Sequence, residues 1–157
     1  MIVLGIDPGT TRIGYGAIRV SSNSLTHVAS GILETETYQN DAERLREISI
    51  ALEKLIVDIN PEKVGVERLF FSKNKKTALA VAEARGVILG MVAKKHILLY
   101  ELTPNEVKLA VTGNGDSSKR AVAKMVSLLL HINVDGFLDD ATDALAIAIA
   151  SANTRLS

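Results

Sequence analysis

The sequence predicts an α/β fold built on a mixed five-stranded sheet, with three strands in an antiparallel meander, two parallel strands, and helices flanking the sheet. Three observations carry that prediction. Apolar runs rich in branched residues fill the first 36 residues and are broken only by short polar turns, which is a meander pattern. From Asp41 the apolar period lengthens to three or four, and helix-like and strand-like stretches then alternate. The chain has 157 residues, a length suited to one domain with one hydrophobic core, and no repeat, low-complexity block or linker divides it.

Ile2 to Asp7 is an apolar run stopped by Pro8-Gly9, so it reads as a buried strand. Ile13 to Val20 and Thr26 to Glu36 continue as strands, separated by turns at Thr10-Thr11 and Ser21 to Ser24. From Asp41, the residues Leu45, Ile48, Leu52, Leu55, Ile56 and Ile59 form one face of an amphipathic helix ended by Asn60-Pro61. Lys63 to Glu67 is a short strand with Val64 and Val66 alternating. Thr77 to Lys94 is apolar on most faces and is expected to be a deeply buried helix. Ile97 to Leu102 is the fifth strand. Thr103-Pro104-Asn105-Glu106 then has the form of a capping box with proline at the first helical position, opening a helix to about Val111. After a Gly113-Asn114-Gly115 turn, Lys119 to Ile132 and Asp140 to Asn153 are the last two helices. This order fits the ribonuclease-H-like arrangement, although a fold alone does not give a function.

Composition removes several classes of chemistry. There is no cysteine, hence no disulfide framework, thiolate zinc site or cysteine nucleophile. The opening MIVLGIDPG lacks the basic region and apolar length of a signal peptide, and no apolar run reaches a membrane span. A cytoplasmic location is the expectation. Eighteen basic residues balance eighteen acidic ones, whereas nucleic-acid binders often carry a basic excess. Distribution matters more than the sum. Arg68, Lys73, Lys75 and Lys76 form an acid-free run, and Lys94-Lys95 and Lys119-Arg120 are further basic pairs.

Four acids stand out. Asp7 closes an apolar strand, where an ionised carboxylate is costly unless paired or bound to metal; capping of the Pro8-Gly9 turn is the structural alternative. Glu67 ends a strand, with pairing to Arg68 as its alternative. Asp140 and Asp143 lie three apart at a helix start and project from one face. Helix-dipole and capping roles suit them too, although Asp139 supplies a third acid in the same turn. Taken together, two strand-end carboxylates and a helix-start pair form a self-repelling cluster whose hard oxygens suit Mg²⁺ or Mn²⁺. Two such ions about 4 Å apart activate water and stabilise a leaving oxygen in phosphodiester hydrolysis. His27, His96 and His131 have no ligand-like spacing.

Three segments, Gly5-Ile6-Asp7-Pro8-Gly9-Thr10, Val66-Glu67-Arg68-Leu69-Phe70 and Asp140 to Ala148, together resemble the RuvC family of Holliday-junction resolvases in order and spacing, over about Met1 to Ala150. The first alone is weak, because Asp-x-Gly-Thr turns also occur in sugar kinases and chaperone ATPases. The resemblance implies a homodimeric, Mg²⁺-dependent endodeoxyribonuclease with two ions per site. It implies paired symmetric nicks in four-way DNA junctions, leaving 5′-phosphate ends, during recombination and repair. Asp7, Glu67, Asp140 and Asp143 match the metal-binding acids, with some relatives carrying His at the position of Asp140. Phe70 matches an aromatic at the junction centre, and either it or Phe71 is expected in the core. Lys108 and Lys119 match lysines near the scissile phosphate, where solvated helix charge is the alternative reading. Lys73, Asn74 and Lys76 are expected on backbone phosphate. RuvA and RuvB are the implied branch-migration partners.

Three other readings compete. An ATPase of the actin and sugar-kinase class would need a second lobe and a second phosphate loop, which this length and sequence lack. A junction-binding module without catalysis would leave the four acids unexplained. A YqgF-type nuclease shares the opening motif but not the later two.

Overall fold

The computed structural model describes residues 1–22, 24–35, 40–68 and 75–153, and the side chains of Lys75, Lys76 and Asn153 are outside the description. Five strands, β1 (Ile2–Asp7), β2 (Arg12–Val20), β3 (Leu25–Glu34), β4 (Lys63–Glu67) and β5 (Leu98–Leu102), form one sheet in the order β3-β2-β1-β4-β5. The β1–β2 and β2–β3 pairs are antiparallel, and β1–β4 and β4–β5 are parallel. Helices α1 (Asp41–Ile59) and α2 (Lys75–Lys94) cover one face, and α3 (Pro104–Thr112), α4 (Lys119–Leu130) and α5 (Asp139–Asn153) cover the other. The expected mixed sheet is therefore the observed one.

Strand periodicity of two sorts the sheet residues between two cores. Leu4 and Ile6 of β1, and Val64 and Val66 of β4, pack with Ile48, Leu52 and Ile88 on the α1–α2 face. Val3 and Leu102 pack with Val107, Val126, Leu145 and Ile149 on the other. Counting onward along β1 and β4, Gly5 and Asp7, and Gly65 and Glu67, fall on the α5 face. Both strands end there in a carboxylate.

Helix ends follow their local sequence. Asn40 caps α1 by accepting from the Glu43 N–H, and Asn60 ends it in a left-handed conformation (φ 48°). Thr103 and Glu106 form the reciprocal capping box of α3, with Pro104 inside its first turn. Ser118 caps α4, whose last helical residue is Leu130, two short of the expected Ile132, with His131 as its C-cap. At the far end of α5, the Lys63 ammonium donates to the Ser151 carbonyl at 2.9 Å and lies 4.5 Å from the Tyr100 ring centroid. A cation at a helix C-terminus complements its dipole.

The expectation that α2 is deeply buried is corrected. Ala84, Ile88, Met91 and Val92 are buried, but Leu79 is 64% exposed and Gly86, Gly90 and Ala93 also face outward. Small residues make the outer side apolar without a covering element, so an all-round apolar pattern overstated its burial. Among the described residues no helix is long and apolar enough to cross a membrane.

Candidate active site

Helix α5 brings an acidic first turn against the two strand ends because the residues between it and the sheet are small. A Cβ added at Gly5 would lie 2.0 Å from the Ala144 carbonyl oxygen, and one at Gly14 would lie 2.0 Å from the Asp140 carbonyl oxygen. Both obstacles are backbone atoms, so no side-chain adjustment would relieve them. Ala144 and Ala148 complete a contact in which helix backbone rests directly on strand backbone.

The result is a cavity of about 320 Å³ lined by Asp7, Glu67, Pro104, Val107, Lys108, Lys119, Val122, Asp143, Ala146 and Ile147. Three acids and two lysines thus share one opening over an apolar floor. Asp7 shows the strain of that company. Its burial, followed by the charges of Glu67, Asp143 and Asp140, pushes its pKa from 3.8 up to about 8. Glu67 is also raised, first by burial and then by Asp143. A side-chain hydrogen bond joins the two, Asp7 holding the proton and Glu67 accepting it. Lys119 Nζ donates to Asp143 Oδ2 at 2.9 Å, and that bond is the main reason its own pKa is raised.

Asp140 stands apart from this group. It acts on Asp7 through space, more weakly than Glu67 or Asp143, and does not line the cavity. Lys108 and Lys119 both line it, each drawing Glu67 toward its charged form. Phe70, Lys73 and Asn74 lie outside the described residues, as does the side chain of Lys76. None of the three histidines lines the cavity. The apolar floor from α3 and α4 carried no local signal in the sequence.

Among the described residues, no three carboxylate or imidazole side chains form a ready-made metal cage. The donor set nonetheless fits a hard divalent cation. Buried like charges that are held together by a shared proton and a lysine are relieved by such an ion. Mg²⁺ characteristically binds through one or two carboxylates while keeping several waters, so it does not require a closed cage.

The family model described as "Crossover junction endodeoxyribonuclease RuvC" matches residues 3–151. The RuvC of Pseudothermotoga lettingae is 45% identical over 94% of this chain and 91% of its own length. That of Heliobacterium modesticaldum is 44% identical over 98% and 95%. Among solved structures, Thermus thermophilus RuvC superposes with a TM-score of 0.88 at 30% identity, covering 97% of this chain and 93% of that one. The same protein in complex with Holliday junction substrate gives 0.89 at 31% identity over the same shares. This chain belongs to the RuvC family of crossover junction endodeoxyribonucleases.

Proposed function

We propose that this protein resolves four-way DNA junctions by metal-dependent hydrolysis of one phosphodiester in each of two equivalent strands, acting as a single domain. The observation that carries this reading is the convergence of Asp7, Glu67 and Asp143 beside Lys108 and Lys119 in one cavity. The family supports the reaction, and the Thermus thermophilus relative is seen with a Holliday junction substrate.

In this reading Asp7, Glu67, Asp143 and Asp140 hold Mg²⁺, which when bound activates water as nucleophile and stabilises the leaving 3′-oxygen. Glu67 and Asp7 present oxygens from the two strand ends, and their shared proton must leave before both serve as anionic ligands. Asp143 contributes from α5, and Asp140 adds negative potential from the preceding turn. Lys108 and Lys119 attract the phosphate. Lys119, bonded to Asp143 in the free protein, is the cation for which an incoming phosphate oxygen competes. The apolar lining from Val107, Val122, Ala146 and Ile147 excludes water from the rear of the cavity and strengthens these charge interactions. Phe70, Lys73, Asn74 and Lys76, which follow Glu67 in the chain, are assigned to DNA contact, with Phe70 stacking on an unpaired base.

A second copy of the chain completes the reading, since paired nicks need two equivalent sites. The outward face of α2, with exposed Leu79 beside Gly86 and Gly90, supports it as the contact surface. Action beside RuvA and RuvB belongs to the same reading.

The test is cleavage of a labelled four-way junction and a matched linear duplex with Mg²⁺, Ca²⁺ or chelator. Symmetric, ligatable nicks on the junction alone, requiring Mg²⁺, are expected. Asp7→Asn should slow single-turnover cleavage on the order of 10³-fold or more, as losing one member of an interdependent set does, while junction binding persists. Lys119→Ala should slow it about 10²-fold. Binding without cutting under both Mg²⁺ and Mn²⁺ would instead make this a junction-binding module.

A further inference from the structure

Neither carboxylate-bearing strand end is held by the β1–β4 ladder. That ladder stops at Ile6↔Val66, one residue short of both Asp7 and Glu67. Glu67 keeps a neighbour only in β5, where it faces Leu102 and the following Arg68 N–H donates to the Leu102 carbonyl at 2.7 Å. Asp7 likewise keeps a neighbour in β2, where it faces Gly14, so each end is paired on one side only, whereas a metal ligand must hold its place within about 0.5 Å. A second brace, from outside the sheet, would fix these half-paired ends.

We infer that α2 supplies this brace through two arginines, its own Arg85 acting as a positioning residue for Glu67, and Arg44 of α1, bonded to α2, for the loop that follows Asp7. Arg85 Nε donates to the backbone carbonyl of Glu67 at 3.1 Å. Its NH2 is bonded to the Glu101 carboxylate on the next strand. One guanidinium therefore spans α2, the end of β4 and the middle of β5. Period-two alternation explains why Glu101 is available, because it points to the α2 face while Tyr100 and Leu102 point to the other. Arg85 never enters the cavity; it reaches Glu67 from behind, through the main chain.

The β1 side is built alike. Arg44, only 7% exposed, donates through NH1 to the Thr10 carbonyl and to the Ala80 carbonyl of α2, both at 3.3 Å. Its NH2 donates to Glu83 of α2 at 2.9 Å and to Asp41 at 3.2 Å. Thr10 lies three residues beyond Asp7. The planar fork of arginine, with five fixed donors, suits a joint between one helix and several separate acceptors, and lysine does not reproduce it. A shift of α2 therefore moves both strand ends together. The same helix follows the basic segment and presents the outward apolar face assigned above to a second copy.

This inference rests on the reading of Asp7 and Glu67 as metal ligands, so its test separates the two. Arg85→Met and Arg44→Met, with Ile88→Ala as a control that destabilises the same helix from its buried side, are compared with the wild type. Backbone amide exchange reports the anchoring without any metal. Arg85→Met should speed exchange of the Arg68 amide at least tenfold while leaving the Val64 and Val66 amides as in the wild type. Mn²⁺ titration followed by electron paramagnetic resonance, without DNA, should show at least tenfold weaker binding in both arginine variants. The control should match the wild type in Mn²⁺ affinity and in single-turnover rate despite its lowered melting temperature. Arg85→Lys should restore less than half of the lost affinity on a logarithmic scale. Unchanged Arg68 exchange in Arg85→Met, or Mn²⁺ binding that falls equally in Ile88→Ala, would overturn the inference. If the wild type itself binds no Mn²⁺, the ligand reading fails, while the exchange data still decide whether Arg85 anchors the strand end. Should Arg44→Met not fold, Arg85→Met alone decides.

Discussion

Glycine and alanine make the closest backbone approach between the sheet and α5, whereas leucine, isoleucine and valine separate the sheet from α1 and α2. The difference is one of purpose as well as volume. On the α5 side, Gly5 and Gly14 let helix backbone rest on strand backbone, and that proximity carries the Asp143 carboxylate to Asp7 and Glu67. On the α1–α2 side, Ile48, Leu52, Val64, Val66 and Ile88 fill a thick aliphatic layer. Polar contact there includes Arg44 and Arg85, which grip the chain from behind. One face sets the distance between charges, and the other is a thick aliphatic layer.

Gly5→Ala tests the first half of that contrast and should have the largest effect. The added methyl meets a main-chain oxygen at 2.0 Å, so α5 must lift. We expect a loss of about 3 kcal/mol or more, the upper end for overpacking. Cleavage should fall further than thermal denaturation explains, and an unaltered rate in the folded fraction would show that α5 proximity is not what assembles the acids. Ile48→Ala tests the other half. This fully buried side chain should cost about 2–5 kcal/mol on removal, measured by urea denaturation, while the folded protein cuts at the wild-type rate. A matching loss of rate would mean that the two faces are not separable.

A smaller effect should appear in the pH dependence of stability. With divalent ions chelated, Asp7 stays protonated in the folded chain up to about pH 8, against 3.8 as its ordinary value. The folded state therefore binds more protons than the unfolded state between these limits, and stability must fall as pH rises through that window. The melting temperature of the chelated protein should drop by several degrees from pH 5 to pH 8. Asp7→Asn should flatten the slope, and saturating Mg²⁺ should offset it in the wild type alone. A flat wild-type profile would remove the repulsive cluster on which the contrast depends.

Much of this was legible from local pattern. The five strands, the capping box at Thr103 and the strand-end positions of Asp7 and Glu67 follow from periodicity and turn chemistry within a few residues of each feature. The α5 carboxylates could be assigned to a helix start, but spacing alone did not distinguish Asp143, which lines the cavity, from Asp140, which does not. That difference depends on how α5 is rotated over the sheet, a tertiary property. Arg44 and Arg85 were equally silent. Arg85 finds Glu67 across 18 residues and Arg44 finds Glu83 across 39, so no local signal marks either as more than a surface charge. The outward exposure of α2 was misjudged for a related reason, since alanine and glycine read as core residues by hydropathy yet need no cover.

The most direct test of the central claim, that the acids at the strand ends and α5 form one divalent-ion site, is Mn²⁺ binding to the DNA-free protein at pH 7.5, counted by electron paramagnetic resonance. Saturable binding by the wild type, weakened at least tenfold in both Asp7→Asn and Glu67→Gln but retained in Ile48→Ala, is the predicted result. Equal binding by the wild type and both carboxylate variants would contradict it.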